Sequence, residues 1–182
     1  MKKQIILSFL LCISTTGGLW AQSIVSDTLL FVFSLHGQTR KYQTTFEEKQ
    51  DTLYMHWGIE RYLKWQSGSY AMGPKSIQQG QRLSFLQPQD GDHVRMLPEE
   101  TVGILSQTAY KQLKEQGSFV YNQTTYLVLD TDSKALGYPL IHVKDNVEGC
   151  DLWILDNPRF PLVWKIRNNP LGVNWEVERY KK

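Results

Sequence analysis

The sequence predicts a mainly β protein, an antiparallel meander that curls into a half-barrel or a barrel with one main helix. Short runs of about five to nine residues, rich in aromatic and β-branched side chains, alternate with turn residues spaced by about 8 to 12 positions. Only one segment has helical spacing, whereas a parallel sheet needs a crossover helix between successive strands. A sheet of about ten strands does not stay flat, so it is expected to curl.

Residues 1–21 are typical of a secretory signal peptide. Two lysines precede a short apolar run, and Ala21 is a suitable small residue for cleavage, with Gly18 as the alternative. The run is shorter than the roughly 20 apolar residues that cross a bilayer, and no later stretch is longer. We therefore expect export to the periplasm, no transmembrane segment, and a single soluble β-rich domain over residues 22–182.

Cys12 raises the question of a lipid anchor, because bacterial lipoproteins are cleaved just before a cysteine. It lies inside the apolar run and follows Leu11, where that signal has a small residue. We therefore expect no lipid at Cys12. Cys150 is then the only cysteine after cleavage, so no intramolecular disulfide is expected.

The first half of the mature chain shows the period of two that is typical of half-buried strands. Leu53, Met55 and Trp57 alternate with Tyr54 and His56, and the same period continues through residue 66. The turn residues around Gly37 predict a hairpin between the first two strands. The strands expected in this half cover residues 28–35, 39–46, 52–59, 69–72 and 82–86.

The second half contains the expected helix, over residues 106–116. Ala109, Tyr110 and Leu113 fall at helical spacing, Ser106 or Thr108 can serve as N-cap, and Gly117 follows the last residue. Strands resume afterwards, and proline lies only beside them because it cannot donate to a sheet. The strands expected in this half cover residues 101–105, 118–121, 124–129, 139–143, 151–155, 162–166 and 173–177.

Composition excludes several classes of function. Loss of Lys2 and Lys3 leaves equal numbers of acidic and basic residues without a basic cluster, so no nucleic acid is expected as a partner. The sequence has no nucleophile elbow, phosphate-binding loop or dinucleotide fingerprint, so no cofactor is expected. The histidines have no metal-ligand spacing, and no metal is expected. We expect Cys150 to be buried rather than nucleophilic, because the adjacent Asp151 disfavours a thiolate.

Acidic pairs provide the alternative of an enzyme. Two carboxylates can supply the acid and base of a glycoside hydrolase, although most of these pairs lie in expected loops. The pairs are Glu99/Glu100, Asp90/Asp92, Asp130/Asp132 and Asp145/Glu148. The sequence assigns no catalytic residue to any of them, and we expect a protein that is not an enzyme.

Aromatic residues give the candidate ligand site. Trp57, Trp164 and Trp175 share strand faces with aliphatic residues and are expected in the core. A second group of aromatic and polar side chains is suited to a groove, the alternative being a solvated outer face. The residues of this candidate ligand site are Tyr54, His56, Tyr62, Tyr70 and Trp153.

Three runs near the C-terminus, WILDNP (153–158), PLVW (161–164) and NPLGVNW (169–175), resemble the last strands of exported proteins of unknown function from Bacteroides-type bacteria. The junction of Ala21 and Gln22 is similar to the signal-peptide ends of those proteins. Their architecture resembles the lipoprotein-carrier (LolA-like) half-barrel, a curved antiparallel sheet that holds acyl chains in its concavity. The resemblance implies a carrier fold and assigns no catalytic residue.

Three functions follow from these observations. The first is a non-catalytic binding or carrier domain for an apolar ligand, a lipid or a segment of an envelope protein. The second is a carboxylate-dependent hydrolase of the cell envelope. The third is an interaction or scaffold protein that uses an exposed sheet edge.

Overall fold

The computed structural model describes residues 27–85 and 89–180. The expected signal peptide, its cleavage site and Cys12 lie outside the described residues. The strands are β1 (Leu29–Leu35), β2 (Gln38–Lys49), β3 (Thr52–Arg61), β4 (Lys64–Met72), β5 (Arg82–Leu83), β6 (His93–Arg95), β7 (Glu100–Thr101), β8 (Ser118–Tyr121), β9 (Thr124–Ala135), β10 (Tyr138–Asp145), β11 (Asp151–Leu155), β12 (Val163–Arg167) and β13 (Val173–Arg179). The helices are α1 (Pro74–Gln79) and α2 (Gln107–Gln116).

Eleven of the strands form one sheet, in the order β6-β4-β3-β2-β1-β13-β12-β11-β10-β9-β8. All neighbours are antiparallel except β4 and β6, and β1 pairs with the last strand, β13. Within the described residues the sheet does not close, so the protein is a curled half-barrel and not a barrel. The predicted mainly β meander with one main helix is confirmed, and the small parallel pair of β5 and β7 is an addition.

Two-residue turns join five of the consecutive strand pairs in the described chain. His36 and Gly37, with φ of 46° and 84°, connect β1 to β2, where the sequence predicted a hairpin. Positive φ at both turn residues is the type I′ geometry, whose twist matches that of the paired strands. The registers bring one set of connections to the same end of the sheet, hereafter the turn end. This set comprises the turns at 36–37, 62–63 and 122–123 and the loops at 146–150 and 168–172.

The core lies on the inner face of the sheet, the face that carries Phe31, Tyr42 and Trp57. Leu53, Met55 and Trp57 are buried there, as the alternation predicted, while the intervening residues of β3 face outward. Trp164 and Trp175 are also buried, so their expected place in the core is confirmed.

Helix α2 begins and ends as the sequence predicts. The Ser106 side chain accepts a hydrogen bond from the Ala109 N–H at 3.3 Å, which makes Ser106 rather than Thr108 the N-cap. Gly117 adopts a left-handed φ of 67°, which ends the helix. Neither helix of the described chain is long and apolar enough to cross a membrane.

The structure differs from the sequence prediction at several places. Strand β9 continues to Ala135, past its expected end at residue 129, and β6 was not predicted. Pro139 lies inside β10 and not beside a strand. The alternation through residues 61–66 is not one strand, because Tyr62 and Leu63 form a type I′ turn between β3 and β4. Helix α1 was not predicted, because it is short and mostly polar and its start is marked only by Pro74.

Candidate functional site

The inner face holds a narrow apolar slot near the turn end of the sheet. Its volume is about 40 Å³, which is room for about two or three water-sized groups. Sheet residues form its floor and walls, and residues 84–85 and 102–103 cover it. The aromatic residues that line it are Phe31, Phe33, Tyr42, Trp57, Tyr70, Phe85 and Trp175.

The aromatic side chains of the slot contact one another in a continuous series. The ring centroid of Phe33 lies 5.5 Å from that of Tyr42 and 5.4 Å from that of Trp175. Tyr42 in turn lies edge-on to Trp57 at 5.9 Å. Such tilted and edge-to-face pairs are favourable beyond their buried area, so the wall of the slot is both apolar and preorganised.

Two residues that line the slot hold a buried polar atom without a hydrogen bond among the described residues. Thr44 and Trp57 face each other on β2 and β3, and both line the slot. Neither the Thr44 Oγ1 nor the Trp57 Nε1 has a hydrogen-bond partner among the described residues, although both side chains are about 95% or more buried. A buried polar group without a partner costs about 1–3 kcal/mol. A hydroxyl and an indole N–H can each donate a hydrogen bond to an acceptor oxygen.

The cover of the slot is fixed by hydrogen bonds to α1 and β8. The Ser84 N–H donates to the Thr101 carbonyl at 2.8 Å, and the hydroxyls of Thr101 and Tyr121 lie 2.7 Å apart. The Ser76 hydroxyl donates to the Glu100 carbonyl. Gly103 completes the cover. Its φ of 71° is in the left-handed region, which residues with a side chain rarely adopt.

Phe85 separates the slot from a larger open cleft of about 720 Å³. Ser84 and Phe85 line both spaces, and the Phe85 ring lies 5.8 Å from Trp175. The cleft is within the range of small-molecule sites, about 300–1,000 Å³. Its far wall contains Tyr126 and Cys150.

A buried carboxylate builds the loop at that wall. Burial opposes ionisation of Asp145, but four backbone N–H groups, those of residues 147–150, donate to it and lower its pKa. Cys150 is buried as predicted, and burial raises the pKa of its thiol to about 11. The thiolate is therefore scarce at neutral pH.

The structure does not bring the predicted ligand residues together. Tyr54 and His56 lie stacked on the outer face with ring centroids 6.0 Å apart, and His56 is 3.2 Å from Glu47. Tyr62 is exposed at the turn end. Tyr70 is buried on the inner face, because the register places it opposite Met55. Of the five, Tyr70 alone lines the slot.

Trp153 is the fifth of these residues, and it belongs to a separate outer-face cluster. Its ring stacks on His142 with centroids 4.2 Å apart, and the Lys165 ammonium lies 5.2 Å from the ring centroid. His142 is also 2.9 Å from Asp151. The five residues are thus distributed over both faces of the sheet and one turn.

Two of the acidic pairs make local contacts, and their residues lie mostly in strands, Asp130 and Asp132 in β9 instead of the expected loop. Asp130 accepts from the Asp132 N–H at 2.8 Å, and Glu99 and Glu100 both contact Arg82. In the described part of the chain, no group of three or more His, Cys, Asp or Glu residues is arranged to hold a metal.

Sequence reasoning missed most of the slot because its walls come from strands distant in sequence. The shared face of Met55 and Trp57 was visible as an alternation, but the pairing of β1 with β13 was not. No family model, curated protein or solved structure matches this chain.

Proposed function

We propose that this protein is an exported, non-catalytic binding or carrier domain for an apolar ligand that carries one hydrogen-bond acceptor. The single observation that carries the proposal is that two residues lining this largely apolar slot, Thr44 and Trp57, each hold a buried polar atom, Oγ1 and Nε1, without a hydrogen-bond partner among the described residues. Export rests on the N-terminal segment predicted from the sequence.

The chemistry of the slot supports a ligand with two parts. An apolar chain or ring gains from leaving water among Phe33, Tyr42 and Trp175. A carbonyl, carboxyl or hydroxyl oxygen of the same molecule can accept from Thr44 and Trp57, which removes the cost of leaving both groups unpaired. A fatty acid or an acyl ester has this combination.

The size of the slot requires Phe85 to move. About 40 Å³ does not hold an acyl chain, whereas the adjoining cleft of about 720 Å³ does. Phe85 is only partly buried and is held by the aromatic contact with Trp175. Rotation of its side chain would join the two spaces, with the polar end of the ligand at Thr44 and the remainder in the cleft.

Tryptophan quenching by 9,10-dibromostearic acid tests the proposal. Bromine quenches indole fluorescence at contact, and Trp57 and Trp175 line the slot. We expect saturable quenching, and we expect Thr44→Val to weaken it about tenfold, since a hydrogen bond to a charged group contributes about 1.5–3 kcal/mol. Trp153→Phe, which changes the outer face, is the matched control and leaves the affinity unchanged.

Two results would overturn the proposal. Absence of saturable quenching by the brominated acid contradicts an apolar ligand site. Equal affinity of the wild type and Thr44→Val contradicts the role of the hydroxyl as a ligand donor.

A further inference from the structure

The turn between β3 and β4 exposes two large apolar side chains in a disfavoured conformation. Tyr62 and Leu63 have φ of 53° and 59°, and their side chains are 85% and 95% exposed. For residues other than glycine, asparagine and aspartate, a left-handed backbone costs about 1–2 kcal/mol each. The turn thus combines backbone strain with exposure of apolar surface, and neither stabilises the fold.

The other two-residue turns of the protein are built differently. The type I′ turn favours Asn-Gly and related pairs. In the described part of the chain, the turn at Tyr62 and Leu63 is the one type I′ turn without a glycine or a polar residue. The remaining turns are His36–Gly37, Gln50–Asp51, Asn122–Gln123 and Leu136–Gly137.

Basic residues surround this turn. Arg61 and Lys64 flank it directly, and Arg40 and Lys41 lie on the adjacent strand β2. None of the four contacts a carboxylate within 4 Å among the described residues. Arg61 instead lies over the Tyr62 ring, 5.6 Å from its centroid.

An outer-face groove of about 520 Å³ adjoins the turn, and three of these basic residues, Arg40, Lys41 and Arg61, are among those that line it. Trp65, which is 53% exposed, packs against Gly58, where a Cβ would come within 2.2 Å of the indole ring. Glu60 is the acidic residue that lines the groove, so positive charge predominates there.

We propose that this turn docks on the surface of an anionic phospholipid bilayer. Tyr62 and Leu63 enter the interfacial region, Trp65 lies at the level of the headgroups, and Arg40, Lys41, Arg61 and Lys64 contact lipid phosphates. Aromatic and leucine side chains partition into this region, and each Lys or Arg near an anionic leaflet adds to the attraction. The inference does not depend on a ligand in the slot.

Charge favours this occupant over a second copy of the chain. Docking two copies through this turn would bring together two sets of four basic residues, none of which contacts a carboxylate among the described residues, and like charges repel each other. An anionic bilayer surface offers phosphates to the basic side chains and an apolar region to Tyr62 and Leu63. Docking then explains why the turn has residues that disfavour its backbone conformation, since departures from local sequence preferences are typical of functional positions.

Co-sedimentation with vesicles tests the inference. The full chain and its variants, all with the same N-terminus, are mixed with vesicles of phosphatidylglycerol and phosphatidylethanolamine (1:3) or of phosphatidylethanolamine and phosphatidylcholine alone. The double variant Tyr62→Asn/Leu63→Gly installs the favoured Asn-Gly turn, so it should fold with an equal or higher Tm. We expect it to bind the anionic vesicles at least tenfold more weakly than the wild type.

Leu136→Asn is the matched control, because it also replaces an exposed leucine of a type I′ turn, at the opposite end of the sheet. It should bind as the wild type does. Replacing Arg61 and Lys64 by Gln should weaken binding about fivefold per charge and reduce its dependence on salt.

Three outcomes would overturn the inference. The first is no preference of the wild type for anionic vesicles, and the second is equal binding by the wild type and the double variant. The third is self-association of the wild type in sedimentation velocity that the double variant loses, without vesicle binding, because the partner would then be a second copy.

Discussion

Substitution of Thr44 by valine should make the unliganded protein more stable. Valine has nearly the shape of threonine, but it replaces the hydroxyl with a methyl group. The Thr44 hydroxyl is buried without a hydrogen-bond partner among the described residues, whereas most buried polar groups are paired. Removing it eliminates a penalty of about 1–3 kcal/mol.

Thr101 provides the opposite case within the same protein. It is fully buried in β7, and its hydroxyl lies 2.7 Å from the Tyr121 hydroxyl and donates to the Arg82 carbonyl at 3.4 Å. Thr101→Val removes both contacts, so it should lower the free energy of unfolding by about 1–2 kcal/mol. The same chemical change is thus expected to have opposite signs at two buried strand positions.

Urea unfolding at pH 7, with linear extrapolation, measures both effects. A change of about 1 kcal/mol corresponds to about 2–4 °C in Tm for a chain of this size. We expect Thr44→Val to raise the midpoint and Thr101→Val to lower it, with unchanged slopes. If Thr44→Val instead lowers the free energy of unfolding as Thr101→Val does, its hydroxyl is paired in solution and the reasoning is refuted.

Two further predictions concern the loop at the far wall of the cleft. The backbone N–H groups that lower the pKa of Asp145 stabilise the fold above its ordinary value of 3.8, and this contribution is lost as the pH falls through the lower folded value. Asp145→Asn should therefore lower the free energy of unfolding at pH 7 by about 2–3 kcal/mol. It should also flatten the dependence of that free energy on pH below 4. The same pH dependence in the variant and the wild type would contradict this. Cys150 is buried and the pKa of its thiol is raised to about 11, so iodoacetamide should modify it far more slowly in the folded protein at pH 7.5 than in the urea-unfolded chain. Mass spectrometry measures both rates of modification, and equal rates would contradict the burial of Cys150.

Local signals were sufficient for much of the fold. The hairpin at Gly37 and the ends of α2 depend on residues close in sequence, so turn and cap preferences predicted them. The buried side of β3 followed from the period of Leu53, Met55 and Trp57. A curled antiparallel sheet followed from the number of strands, but the choice of an open half-barrel over a closed barrel did not.

The candidate site depended on information that local patterns lack. Tyr62 and Leu63 contain no turn signal, so the alternation was extended through them and the register of β4 was not fixed. That register decides that Tyr70 faces inward while Tyr54 and His56 face outward. A shift of one position exchanges the two faces of a strand, so a predicted set of facing residues fails when one turn is missed.

Native mass spectrometry of the protein purified from the cell envelope tests the central claim most directly. We predict that the wild type carries a bound compound, that organic extraction releases an apolar molecule with an acceptor oxygen, and that Thr44→Val retains less of it. A bare mass in every preparation, unchanged after incubation with stearic acid, would contradict the claim that the slot beside Thr44 and Trp57 is a ligand site.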